Sequence, residues 1–172
     1  DLLAQDIDVI IDKVGLRGKT TENTKFLILP TNKAGPNEVV CGEKMSRFLT
    51  LYQVNNFSEA IELALKIQNY QGAGHSLGIH TKNKKRAHEI AMSAKTCRVI
   101  VNQAHCFATG GFFNNGLPFS LSMGCGSWGG NSIDENLNWK HFTNKVRVVQ
   151  TIEENKPSLE EIFGSYWGET SQ

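Results

Sequence analysis

The sequence predicts an α/β fold, a largely parallel sheet with crossover helices. Three observations carry that expectation. Short apolar runs alternate with helically periodic segments between residues 25 and 101, and those segments are long enough to cross over a sheet. The resulting order of strand, helix, strand, helix, strand favours parallel pairing. A chain of 172 residues with 40% hydrophobic content buries one substantial core, so a single domain over 1–172 is expected.

The opening DLLAQDIDVIIDKVG sets Leu3, Ile7, Ile10, Ile11 and Val14 at helical spacing before Gly15, which predicts a short amphipathic helix. It carries no initiator methionine and reads as a segment entered partway along a longer polypeptide. KFLIL (25–29), ended by Pro30, and SRFLTLYQV (46–54) are strand candidates. Asn56 with Glu59 three residues on marks a helix start, and Phe57, Ala60, Ile61, Ala64 and Leu65 share one face of a helix ending near Tyr70. SLGIHT (76–81) and CRVIV (97–101) are two further strands, with a helix over about 84–94 between them.

Residues 102–131 break this rhythm with seven glycines and four asparagines. Loops of that length inside compact domains are uncommon unless functional or disordered, and Phe107, Phe112, Phe113, Phe119 and Trp128 argue for order. Beyond them a helix is expected at 132–142, a β-branched strand at KVRVVQTI (145–152), and a closing helix that Pro157 and Ser158 would start.

Composition excludes several function classes. The 18 basic and 17 acidic residues nearly cancel, and KNKKR (82–86) reads as a solvated helix start, so neither nucleic acid nor an anionic membrane is an expected partner. No apolar run approaches the ~18 residues of a membrane span and no signal-peptide pattern opens the chain, so a cytoplasmic location is expected. Cys41, Cys97, Cys106 and Cys125 form no C-x-x-C pair, which removes the zinc-ribbon and thioredoxin-like motifs; no metal site is expected.

Three segments remain as candidate chemistry. GCGSWGGNS (124–132) satisfies G-x-G-x-x-G through Gly124, Gly126 and Gly129, but a dinucleotide fingerprint opens a first βαβ unit and this one follows the strands. Glycines serving a close-approaching loop are the favoured reading. Cys125 is the best nucleophile candidate by accessibility, set against a structural thiol; a thiol enzyme built on it is one open reading. GAGHSLGIHT (72–81) holds His75 in a glycine-flanked turn, either as a general acid or base or as a hydrogen-bonded turn histidine. In CGEKMSRFL (41–49), Glu43 stands just before a strand, where a carboxylate orients a ribose, acts as a base, or is simply solvated.

Taken together and in order, GEKMSRFL, GAGHSLGIHT and GCGSWGGNS resemble the C-terminal half of the CoA-acylating aldehyde dehydrogenases, over about residues 20–150. The resemblance implies that family's catalytic-domain fold, with 145–152 as an intersubunit oligomerisation strand. It also implies oxidation of an aldehyde with NAD or NADP, followed by acyl transfer from a cysteine thioester to coenzyme A. Glu43 matches the glutamate beside the nicotinamide ribose, His75 a histidine near the catalytic thiol, and Gly124, Cys125 and Gly126 a substrate-side loop. The family's nucleophile lies upstream of the matched segment, so the chain is expected to be a catalytic and oligomerisation portion lacking that cysteine and the cofactor-binding domain, inactive alone and homo-oligomeric. Arg47 stands where relatives commonly carry proline. PSLEEIFGSYW (157–167) is similar to the tail of the members that act on sulfoacetaldehyde, which implies that substrate, with succinate semialdehyde, propionaldehyde and acetaldehyde as alternatives, and gives Arg47 two readings, a sulfonate contact or a surface salt bridge. A non-catalytic α/β binding or regulatory module of the same fold is the alternative.

Overall fold

A computed structural model describes residues 2–169 of the chain. The described residues divide into two compact units, one ending at His141 and the other beginning at Phe142.

The first unit begins with α1 (Ile7–Lys13), which buries Ile7, Ile10 and Ile11 as their spacing predicts. Strands β1 (Leu27–Pro30) and β2 (Phe48–Leu51) pair in parallel, Leu27 opposite Phe48. Helix α2 (Phe57–Tyr70) starts where the sequence signature puts it. The Asn56 side chain accepts from the Glu59 amide at 3.0 Å, while the Glu59 carboxylate accepts from the Asn55 amide at 2.9 Å, satisfying donors that the first helical turn cannot.

Strand β3 (Leu77–Ile79), helix α3 (Lys84–Ser93) and strand β4 (Val99–Val101) form a parallel βαβ unit. Ile61 of α2 packs with Ile90 and Ala94, and Leu77, Ile79 and Val99 lie against them, so both helices cover this ladder. The α/β expectation holds in type and in pairing direction. The strands form two separate two-stranded ladders, however, because β2 does not pair with β3.

After β4 come the short helix α4 (His105–Ala108) and a long, ordered loop. Residues 122–126 run antiparallel to 133–137, through Gly124 N–H to Glu135 O at 3.0 Å, Gly126 N–H to Ile133 O at 2.9 Å and Leu137 N–H to Ser122 O at 2.8 Å. That pairing overturns the helix expected at 132–142. The carbonyls a helix would need are committed across the hairpin, and only the 3-10 turn Trp139–Phe142 forms.

In the second unit, residues 145–152 form neither a helix nor a ladder with any of the described residues. Helix α5 (Leu159–Glu169) has the expected start, with Ser158 Oγ accepting from the Glu161 amide at 3.1 Å and the Glu161 carboxylate accepting in return at 2.7 Å. No helix among the described residues is long and apolar enough to cross a membrane.

Candidate functional site

A cleft of about 650 Å³ lies in the first unit, between α2, the turn before β3 and the loop at Cys125. Its polar lining includes Glu43, Gln71, His75, Ser76, His105 and Cys125, with Ala64, Ile67 and Leu77 among its apolar residues. Residues from all three sequence-predicted segments therefore meet in one place.

Glycines bring the turn and the loop together. Gly74 has φ +86°, and a Cβ there would stand 2.0 Å from the Cys125 carbonyl oxygen, so only glycine allows the two backbones to touch. A Cβ on Gly129 would stand 2.3 Å from Cys125 Cβ and one on Gly124 2.2 Å from Ile133 O. The G-x-G-x-x-G pattern is thus a packing device. It leads into the single 3-10 turn Ser127–Gly129, which offers no helix N-terminus to a pyrophosphate.

A buried arginine fixes the same contact. Arg98 is 5% exposed and donates to His75 O at 3.0 Å, Gly124 O at 3.0 Å and the Asn136 amide oxygen at 2.8 Å. Asn136, fully buried, passes the linkage on to the Thr109 and Pro118 carbonyls, each at 2.9 Å. Arg98 therefore spends its donors on neutral oxygens, which ties the charge to backbone that must be correctly placed. Sequence reasoning passed over both residues. The available signal was a cation inside the apolar run CRVIV, since a charge in a buried strand needs partners.

At the cleft, His75 Nδ1 lies 2.6 Å from Ser76 Oγ, and the same hydroxyl lies 2.9 Å from His105 Nε2. Burial, with His75 as a lesser cause, pushes the His105 pKa below its ordinary value. Gly78 makes room for this ring, because a Cβ there would come within 2.8 Å of His105 Nδ1. Neither Ser76 nor His105 was legible as a site residue. The two partners lie 29 positions apart in the sequence.

Glu43 is exposed at the cleft rim, its amide donating to the Gln71 side chain at 2.9 Å. Cys125 has its amide held by Asn131 at 2.8 Å, and its thiol meets the Met123 carbonyl at 4.0 Å, with no imidazole among its hydrogen-bond partners. Nearby, burial raises the Cys97 thiol pKa against the opposing charge of Arg98. Arg47 does not line the cleft; its guanidinium reaches Asp6 at 3.8 Å. Among the described residues, no group of three or more His, Cys, Asp or Glu side chains converges to hold a metal ion.

No protein-family model matches the chain. The acylating sulfoacetaldehyde dehydrogenase of Cupriavidus necator is 42% identical over 158 residues, covering 92% of this chain and 32% of its own length. The acetylating succinate-semialdehyde dehydrogenase of Clostridium kluyveri is 39% identical over 164 residues, covering 95% and 36%. The crystal structure of an acetylating aldehyde dehydrogenase from Geobacillus thermoglucosidasius superposes with a TM-score of 0.81 at 27% identity, covering 91% of this chain and 34% of that one.

Its homologues are acylating aldehyde dehydrogenases.

The chain spans about a third of the length of these relatives. The α/β fold expected from the sequence is the fold it shares with the acylating aldehyde dehydrogenases.

Proposed function

We propose that this chain is a catalytic and oligomerisation portion of an acylating aldehyde dehydrogenase. The enzyme would convert an aldehyde, with sulfoacetaldehyde the leading candidate, to its acyl-CoA, through a thioester on a cysteine outside this chain. The observation that carries the reading is the convergence of Glu43, His75 and the Cys125 loop on one cleft, in a chain whose relatives have that activity in their names. Coenzyme A would be the co-substrate, and NAD or NADP would accept the hydride.

Glu43 suits the cofactor ribose. Its main chain is fixed by Gln71, and its exposed carboxylate is an acceptor for vicinal hydroxyls at the cleft rim. His75 is the acid–base group, its carbonyl anchored by Arg98 and its ring by Ser76. Gly124, Cys125 and Gly126 form the substrate-side wall. The Cys125 thiol meets the Met123 carbonyl at 4.0 Å and has no imidazole as hydrogen-bond partner, which supports a nucleophile supplied elsewhere and a 172-residue chain without turnover of its own.

The cleft lining contains no lysine or arginine among the described residues. A sulfonate would therefore be held by neutral donors or by cations from the rest of the enzyme, and the contact of Arg47 with Asp6 supports the surface salt bridge of its two readings. Residues 145–152 would supply an intersubunit strand to a second copy. Val146, Val148, Val149 and Ile152 are 84–94% exposed, an arrangement that leaves β-branched side chains unburied unless something pairs there.

The complete reading frame containing this chain should give CoA-dependent NADH or NADPH formation with sulfoacetaldehyde among a panel of aldehydes, and Glu43→Ala should raise the cofactor KM. Folded protein without aldehyde turnover would instead favour the non-catalytic module.

A further inference from the structure

The cleft contains a linkage that the proposed chemistry does not by itself require. Two imidazoles share one hydroxyl, with Ser76 Oγ at 2.6 Å from His75 Nδ1 and at 2.9 Å from His105 Nε2. A serine hydroxyl has one proton and two lone pairs, so between two neutral rings it donates to one and accepts from the other. The choice determines which nitrogen of His75 carries its proton.

Contact lengths favour one arrangement. Hydroxyl donors sit closer to their acceptors than ring N–H donors do. The shorter contact is then Ser76 O–H donating to His75 Nδ1, and the longer one is His105 Nε2–H donating to Ser76. Burial keeps His105 neutral near pH 7, so it enters the linkage with a single N–H. Both rings stand on anchored backbone. Arg98 holds the His75 carbonyl at 3.0 Å, and His105 opens α4, its carbonyl accepting from the Thr109 amide at 3.2 Å.

We propose that Ser76 and His105 are positioning residues that fix the tautomer of His75. His105 donates to Ser76, Ser76 donates to His75 Nδ1, and His75 keeps its proton on Nε2, the nitrogen left to the cleft. This rests on the reading of His75 as the acid–base group and narrows it. A neutral His75 with Nε2–H donates to a carbonyl oxygen that is gaining charge or to a departing thiolate, and must first switch to the Nδ1–H tautomer before Nε2 can act as a thiol base. Glu43 and Cys125, which share the cleft, and Arg98, which holds the His75 carbonyl, are the other ionisable groups around the ring.

The test is the ring ¹⁵N spectrum of His75 in the 172-residue chain, recorded above the titration of both imidazoles. The expected result is the Nε2–H tautomer in excess by about tenfold, the ratio that one net hydrogen bond sets. Ser76→Ala should lower that excess severalfold, and Ser76→Thr, which retains the hydroxyl, should restore it. A dominant Nδ1–H tautomer in the unmodified chain overturns the proposal whatever the variants do. So does a ratio unchanged by Ser76→Ala in a chain whose amide spectrum is otherwise intact. The measurement reads the ring and not turnover. Its failure leaves the acylating-enzyme reading standing, and failure of that reading leaves the tautomer assignment standing.

Discussion

Residues 122–137 and residues 145–152 differ in where their backbone hydrogen bonds go. The first segment closes an antiparallel hairpin on itself, is gripped by Arg98 at Gly124 and by Asn131 at Cys125, and lies against the turn at Gly74. The second has no ladder partner among the described residues and exposes four β-branched apolar side chains. Yet the first is a glycine-rich loop and the second has strand composition. Glycine content reports how closely backbones approach, whereas β-branched content reports a surface suited to pairing and says nothing of whether the partner lies in the same chain.

The sharpest way to break the anchored region is Arg98→Met. It leaves the His75 and Gly124 carbonyls and the Asn136 side chain without their donor, and should cost on the order of 3 kcal/mol or more by urea unfolding. Gly74→Ala comes next. With φ +86° and the Cys125 carbonyl 2.0 Å from the new Cβ, a loss of about 2 kcal/mol is expected, together with separation of the turn from the loop. An unchanged unfolding midpoint in either variant would remove the seam as the organising contact.

The unanchored region should respond in the opposite way. Val148→Lys should leave unfolding within about 0.5 kcal/mol, as substitutions on an exposed surface do, while reducing self-association in sedimentation. If it unfolds the chain and leaves association untouched, the two regions do not differ as described.

The smallest effect is a pH slope. The folded pKa of His105 lies below its ordinary value of 6.5, so the unfolded chain binds that proton first as pH falls. The stability linked to this group is complete above about pH 6.5 and declines as pH drops from there through the folded pKa. His105→Gln should flatten the slope in that window, and an identical slope in both proteins would show that the ring titrates as it does in the unfolded chain.

Local signals were legible in the sequence wherever their partners are close. The Asn56–Glu59 box and the Ser158 start both bond as their spacing implies, because each needs only its own first turn. The strands were legible as elements but not as two separate ladders, since the partner of β2 is decided by packing across the chain. At the site, His75, Glu43 and the 124–126 loop carried the resemblance to the relatives, and the fold brings them to one cleft. Ser76, Arg98, His105 and Asn136 were not visible because the contacts that place them in the site include partners brought close only by the fold. Arg98 meets Asn136 across 38 positions, for example.

In the proposed function His75 acts on the substrate in the cleft assembled by these contacts. The most direct test is CoA-dependent reduction of the nicotinamide cofactor by the complete protein, with His75 intact and with His75→Ala. A fall in kcat of about 10²-fold or more, with the fold retained, is the expected result, the range over which acid–base groups contribute. Unchanged turnover in a folded His75→Ala protein would contradict the account.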